Sequence, residues 1–144
     1  MYLLCVAYAT GLIYVLFVNN RIGSLHNFRT EANAVPFKNI IALYTHRHTW
    51  DHEFVAKYWE NIIGNLVLFL PMPLLGVAAI PGLRKWRFWK MVICCMLISA
   101  AFEILQYLLN LGAADVDDVL LNGAGAAIGL GLYNGLRRVL FKVK

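Results

Sequence analysis

Four apolar blocks, at residues 2–18, 62–80, 91–109 and 119–136, leave this chain few ways to fold. Each approaches the roughly 20 residues with which a helix, rising about 1.5 Å per residue, crosses about 30 Å of hydrocarbon. The apolar residues are gathered into these blocks instead of being spread in a core-forming pattern, and they make up 60% of the chain. That is the composition of a membrane protein. The expected fold is therefore all-α and polytopic: one domain over residues 1–144, four transmembrane helices in one bundle, and a long connection at residues 19–61.

Orientation follows from the basic residues. Arg84, Lys85, Arg87 and Lys90 crowd between the second and third blocks, and Arg137, Arg138, Lys142 and Lys144 follow the fourth. The positive-inside rule makes both segments cytoplasmic. The connection 110–118 has no Lys or Arg and three Asp, so it lies outside. Residues 19–61 are then outside as well, since Arg21, Arg29, Lys38, Arg47 and Lys57 are diluted there and opposed by Glu31, Asp51, Glu53 and Glu60. Both termini are expected in the cytoplasm. Ala7-Tyr8-Ala9 resembles a signal-peptidase site, but no basic n-region precedes it and the apolar run continues, so a retained span is expected. The net charge of +5 consists mostly of these inner anchors. It favours membrane lipids as partners and excludes nucleic acid. Cys5, Cys94 and Cys95 have neither metal nor disulfide spacing and read as small buried hydrophobes.

Each later span carries one polar or small face. Asn61, Gly64 and Asn65 share a face at i, i+3, i+4 spacing. Ser99, Glu103, Gln106, Tyr107 and Asn110 do the same, as do Asp118, Asn122, Gly125 and Gly129. Asn65 and Asn122 lie about one turn, and Glu103 roughly 9 Å, below the outer ends of their spans. A shared polar layer is expected there, with Gln106 just above it. Intramembrane carboxylates are costly, which makes a functional site the default. The competing reading is that these groups bind helices together, with Glu103 bonded to Asn65 or Asn122. Asp115 to Asp118 has the spacing of an N-cap with an acid at N3. Capping accounts for one or two of Asp115, Asp117 and Asp118, and the remainder calls for water, a cation or a ligand.

Gly125 and Gly129 form a small-xxx-small pair for close helix packing, extended by Gly123 and Gly131. Pro71 and Pro73 deprive the carbonyls of Val67 and Phe69 of their donors and predict a kink. In the first connection His46, His48 and His52 stand among Asp51 and Glu53, and His48 and His52 would share a face of a continuous helix. That spacing suits zinc. The favoured alternative assigns no metal, with Trp50, Phe54, Tyr58 and Trp59 on a membrane-surface helix and Trp86 and Trp89 anchoring the inner side.

The order Asn33-Ala34-Val35-Pro36-Phe37, Asn61 to Pro71, Glu103-Ile104-Leu105-Gln106, and Asp115-Val116-Asp117-Asp118 through Asn122, Gly125 and Gly129 resembles the VanZ-like family of bacterial membrane proteins. The resemblance implies a multi-pass protein of the bacterial plasma membrane working at the cell envelope. It marks Asn65, Glu103, Gln106, Asp115, Asp118 and Asn122 as the matching polar positions. The family's founding member is associated with teicoplanin resistance, which implies a lipoglycopeptide or a lipid-linked envelope precursor as partner. No cofactor and no reaction are implied. Members often carry an Arg where this chain has Gly112, which weakens the expectation of an anionic ligand.

Three functions remain open at this point. The polar layer is a docking site that lowers susceptibility to teicoplanin-type drugs. Alternatively, Glu103 acts as acid or base and the Asp cluster holds a divalent cation in an enzyme for a lipid-linked precursor, although no nucleophile motif or phosphate loop accompanies them. In the third, the chain is a passive assembly subunit and its polar residues are helix contacts.

Overall fold

In the computed structural model, residues 2–19, 32–46 and 48–141 are described; Arg21, Arg29, Glu31, Arg47, Lys142 and Lys144 lie outside them. The first apolar block forms α1 (Tyr2–Ile13), which continues as a π-helical stretch (Tyr14–Asn19). A short α2 (Lys38–His46) follows. α3 (His52–Phe69) runs through Leu70 and Pro71 into α4 (Met72–Ala79). A 3₁₀ turn (Pro81–Lys85) leads to α5 (Phe88–Leu108), and the chain closes with α6 (Val116–Phe141). Among the described residues three stretches are long and apolar enough to cross a membrane: Val55–Ala79, Phe88–Leu108 and Val116–Arg138. The first block gives a shorter apolar helix, Tyr2–Phe17.

The expected connection at residues 19–61 is too long. Helix α3 begins at His52, ten residues before the apolar block, because Glu53, Lys57 and Glu60 recur at helical spacing on its exposed side. Charges on one face of a helix dilute hydropathy without ending the helix. At the prolines, α3 stops and α4 starts, yet Leu70 (φ −56, ψ −46) and Pro71 (φ −79, ψ −16) keep right-handed helical angles. Bonding is interrupted while the backbone keeps its course. The Tyr8 hydroxyl donates to the Leu68 carbonyl beside this break, between the Val67 and Phe69 carbonyls that the prolines deprive of donors.

The register of side chains gives an up-down arrangement. Cys5 faces Leu75 and Tyr8 faces Leu68, so α1 runs antiparallel to α3–α4. Asn122 meets Ser99, and Leu130 packs with Val77 and Met91, so α6 runs antiparallel to α5 and alongside α3–α4. Helix α6 packs most extensively, against both α3 and α5. One end of the bundle therefore gathers Arg84, Lys85, Arg87, Lys90, Arg137 and Arg138. The other end gathers the aspartates.

Two clusters fill the interior: Leu12, Leu16, Phe69, Cys95 and Ala126 in one, Val77, Met91 and Leu130 in the other. Cys95 is buried as expected, while Cys5 and Cys94 are only partly so. On α5 the pattern of a water-soluble helix is inverted. Ser99, Glu103 and Gln106 are buried, whereas Ile93, Leu97, Ile104 and Leu108 are each more than half exposed. Such apolar exterior around polar interior suits lipid and would be a liability in water.

The glycines of α6 set its distance from α3. A Cβ at Gly125 would sit 2.2 Å from the Leu66 carbonyl oxygen, and one at Gly129 2.0 Å from that of Leu70. Backbone meets backbone here, as the small-xxx-small spacing predicts. Gly123 faces the flexible Met96 side chain instead, and Cβ atoms at Gly64 or Gly131 would meet nothing within 4 Å. At Gly64, expected to pack, a methyl group would find open space, so no close backbone approach requires a glycine there.

Candidate acid and amide site at the aspartate end of the bundle

Helix α5 ends with Asn110 in the left-handed region (φ 54). The Leu111 N–H donates to the Gln106 carbonyl at 2.9 Å and the Asn110 N–H to Tyr107 at 3.1 Å. These two bonds form a Schellman C-cap, with Asn tolerating the conformation that most residues resist. Asn110, grouped by its spacing with the polar face of the span, thus serves to turn the chain. Five residues later Asp115 caps α6: its Oδ1 accepts from the Asp117 N–H at 2.9 Å. The N-cap expected from the Asp spacing is present.

The other acids are held in a way that spacing alone does not disclose. Asp117 is 2% exposed, and its two oxygens accept from the peptide N–H of Phe37 and, at 3.1 Å, of Asn39. The Asn39 side-chain amide donates to Asp115 Oδ2, and that of Asn33 to Asp115 Oδ1 at 2.9 Å. Asn33 and its neighbours pair as a short parallel bridge, Asn33 N–H to Ala114 at 2.8 Å and Val116 N–H to Asn33 at 3.0 Å. The segment from Asn33 to Asn39 is thereby clamped onto the first turn of α6, at the positive end of its dipole, where carboxylates are stabilised. Asp117, for which capping left only water, a cation or a ligand, is satisfied by the protein itself.

Asp118 points to the opposite neighbour. Its Oδ1 accepts from the side-chain amides of Asn61 and Asn65, each at 2.7 Å. Their i, i+4 spacing on α3 puts both donors on one face, level with the N3 position of α6. Asn61 is exposed and Asn65 buried, so the pair leads from the surface inward.

The expected single layer is divided by depth. Glu103 (7% exposed) bonds neither Asn65 nor Asn122; its Oε2 accepts from the Asp115 N–H at 3.2 Å. Gln106 donates to the Leu16 carbonyl at 2.7 Å, in the π-helical stretch that ends α1. Asn122 donates to Ser99 Oγ at 2.7 Å, a turn below Asp118, and its own Oδ1 is buried without a partner. Helical rise alone made one layer of Asn65, Glu103 and Asn122, but pairing depends on the rotation of each helix about its axis and on how the helices are staggered.

A cavity of ≈ 30 Å³ lies where α2, α3 and α6 meet, lined by Asn39, Tyr58, Asn61, Asp115, Asp117 and Asp118 with flanking Ile40, Ile62 and Leu121. That volume accommodates a water molecule or a small donor group. The groups bonded to these acids are amides and peptide N–H, with no Lys or Arg among the described residues. Among the described residues these acids are met by neutral donors, which favours cationic or donor-rich groups at this mouth. Gly112 is exposed in the connection between α5 and α6.

The histidines form no ligand set. α2 ends at His46 and α3 begins at His52, so His48 and His52 share no continuous helix. His46 stacks on Trp50, centroids 5.3 Å apart, and Trp50 in turn contacts the Tyr58 ring at 5.3 Å. Among the described residues no three His, Cys, Asp or Glu gather to hold a metal ion. Sequence reasoning missed Asn39 and Tyr58 as members of the site. Asn33 and Phe37 had a signal, the Asn-x-x-Pro-Phe spacing, but nothing indicated that they meet Asp115 and Asp117.

Comparison with known proteins gives the same family along nearly the whole chain. A stretch of 78 residues is 33% identical to protein VanZ of Enterococcus faecium, covering 52% of this chain and 45% of that protein. The chain thus matches about half the length of this relative. No solved structure matches. The family model described as VanZ/LLP1 matches residues 1–140, and this chain belongs to the VanZ/LLP1 family.

Proposed function

We propose that this chain is a four-span protein of the bacterial plasma membrane, with both termini cytoplasmic, that lowers susceptibility to teicoplanin-type lipoglycopeptides. In this reading the Asp118 pocket, in the outer leaflet, holds a donor-rich part of the drug or of a lipid-linked envelope precursor. The observation that carries it is the division of labour among the acids. Asp115 and Asp117 are occupied in capping α6 and clamping residues 33–39, whereas Asp118 meets only two amides, one of them on the exposed Asn61, beside a cavity. The gathering of Arg84, Lys85, Arg87, Lys90, Arg137 and Arg138 at the opposite end supports an inner location for that end. Family membership supports the envelope setting.

A second reading, in which the polar residues serve only assembly, is favoured by the bonds of Gln106 to Leu16 and of Asn122 to Ser99, which are buried and internal. The two readings part at Asp118. Teicoplanin and vancomycin susceptibility is to be measured in a sensitive Gram-positive host carrying empty vector, this chain, or its Asp118→Asn variant, with membrane levels compared by immunoblot. Protection by the unmodified chain, lost in Asp118→Asn at equal level, supports docking. Protection unchanged by the substitution removes Asp118 from the function, and no protection from an inserted chain removes the resistance reading altogether.

A further inference from the structure

Helix α2 carries apolar residues on both sides. Leu43 is 4% exposed and Ile40 partly buried, lining the cavity with Asn39. On the outward side Phe37 and Ile41, one helical repeat apart, are 53% and 61% exposed, and Val35 just before them is 59% exposed. An outward apolar face on a nine-residue helix would be costly in water.

Its depth is set by what it touches. Asn39 and Ile40 share the cavity with Tyr58, Asn61 and Ile62 of α3 and Leu121 of α6. Residues 58–62 lie three to seven positions inside the apolar stretch Val55–Ala79, about 4–10 Å along its axis. Leu121 lies five positions inside Val116–Arg138. The bonds of Asp117 to Phe37 and Asn39 hold α2 at that level. At the same level α3 exposes Trp59 and Ile63, both more than half accessible, beside the charged Lys57 and Glu60, the mixture of an interfacial zone.

Phe37 adds an independent observation. Its backbone is left-handed (φ 64), a conformation that glycine or asparagine adopts readily and a bulky residue resists. An exposed ring at such a position implies surroundings that reward it.

We propose that α2 and the turn that leads into it form an interfacial segment whose Val35, Phe37 and Ile41 side chains pack among acyl chains of outer-leaflet lipid, while the exposed Lys38 reaches the headgroups. The inference rests on the membrane-spanning reading above. It makes the roof of the Asp118 pocket part of the membrane surface, so that a ligand of the pocket arrives laterally from lipid.

Spin labels test it. In the full chain with Cys5, Cys94 and Cys95 replaced by Ala, reconstituted in phosphatidylcholine–phosphatidylglycerol vesicles, one label is attached to Ile41→Cys, Val35→Cys, Val67→Cys or Asp51→Cys. Collision with oxygen is compared with collision with a water-soluble nickel chelate. Ile41 and Val35 are expected to resemble Val67, several-fold more accessible to oxygen than to nickel, with Asp51 in the reverse order. An aqueous pattern at 35 and 41 with a lipid pattern at 67 overturns the interfacial segment and leaves the spans intact. An aqueous pattern at 67 overturns both. Protection of 35 and 41 from both reagents means that protein covers the stripe, and it too refutes the lipid assignment.

Discussion

Two glycines on α6 offer a sharp test of how the bundle is held. Gly125→Ala and Gly129→Ala would bring a methyl carbon to 2.2 and 2.0 Å from the carbonyl oxygens of Leu66 and Leu70. Real Cβ contacts essentially never fall below 3.0 Å, so α3 and α6 must part by about 1 Å at either site. These are backbone atoms, and no rotamer change relieves them. A radial gap of about 0.5–1 Å forfeits roughly a quarter to a half of the dispersion well for each contact it opens. Overpacking of this kind typically costs about 1–3 kcal/mol. Gly131→Ala, two residues beyond Gly129 on the same helix, is the matched control: its Cβ meets nothing within 4 Å, and alanine favours helix over glycine by about 0.5–1 kcal/mol. Thermal unfolding in detergent, followed by tryptophan fluorescence, should therefore place Gly125→Ala and Gly129→Ala several degrees below the unmodified chain, at about 2–4 °C per kcal/mol for a chain near this size. Gly131→Ala should melt at or above it. If all three variants melted together, the close approach of α3 and α6 at Gly125 and Gly129 would be refuted, and with it the register that aligns Asp118 with Asn61 and Asn65.

Replacing Asp117 by Ala should leave the Phe37 and Asn39 N–H groups without their acceptor, at about 1.5–3 kcal/mol for each bond to a charged group. Amide exchange across residues 37–46, read by mass spectrometry, should accelerate while exchange in α5 stays slow; unchanged protection would show that the clamp does not hold α2. Glu103→Gln keeps an oxygen for the Asp115 N–H and should accumulate and melt nearly as the unmodified chain. Glu103→Leu removes the acceptor and should lose about 1–3 kcal/mol, whereas equal melting of the two variants would mean the Glu103–Asp115 bond contributes nothing.

Much of the fold was legible because bilayer solvent imposes a local rule. A span must satisfy its own peptide groups, so the apolar blocks gave helices at the expected places in α4, α5 and α6, and the Asp115–Asp118 spacing gave the N-cap. Gly125 and Gly129 were readable for the same reason, since close helix approach demands the absence of a side chain at one-turn spacing. The start of α3 was not readable from hydropathy, because Glu53, Lys57 and Glu60 occupy a face that never enters the core. Nor was α2, whose outward stripe is too short to register as a span.

The candidate site divides along the same line. Sequence alone determined which residues are polar inside apolar segments and, through helical rise, how far along its own helix each stands, because both quantities are local to one helix. Tertiary structure decided who meets whom. Glu103 was within reach of Asn65 and Asn122 in depth, yet it faces the Asp115 peptide. Asn122 faces Ser99. Asp117 reaches residues some eighty positions earlier in the chain. Those pairings depend on the rotation of each helix about its axis and on where the 33–39 segment docks, and both are set by packing among distant parts of the chain, which no local spacing encodes.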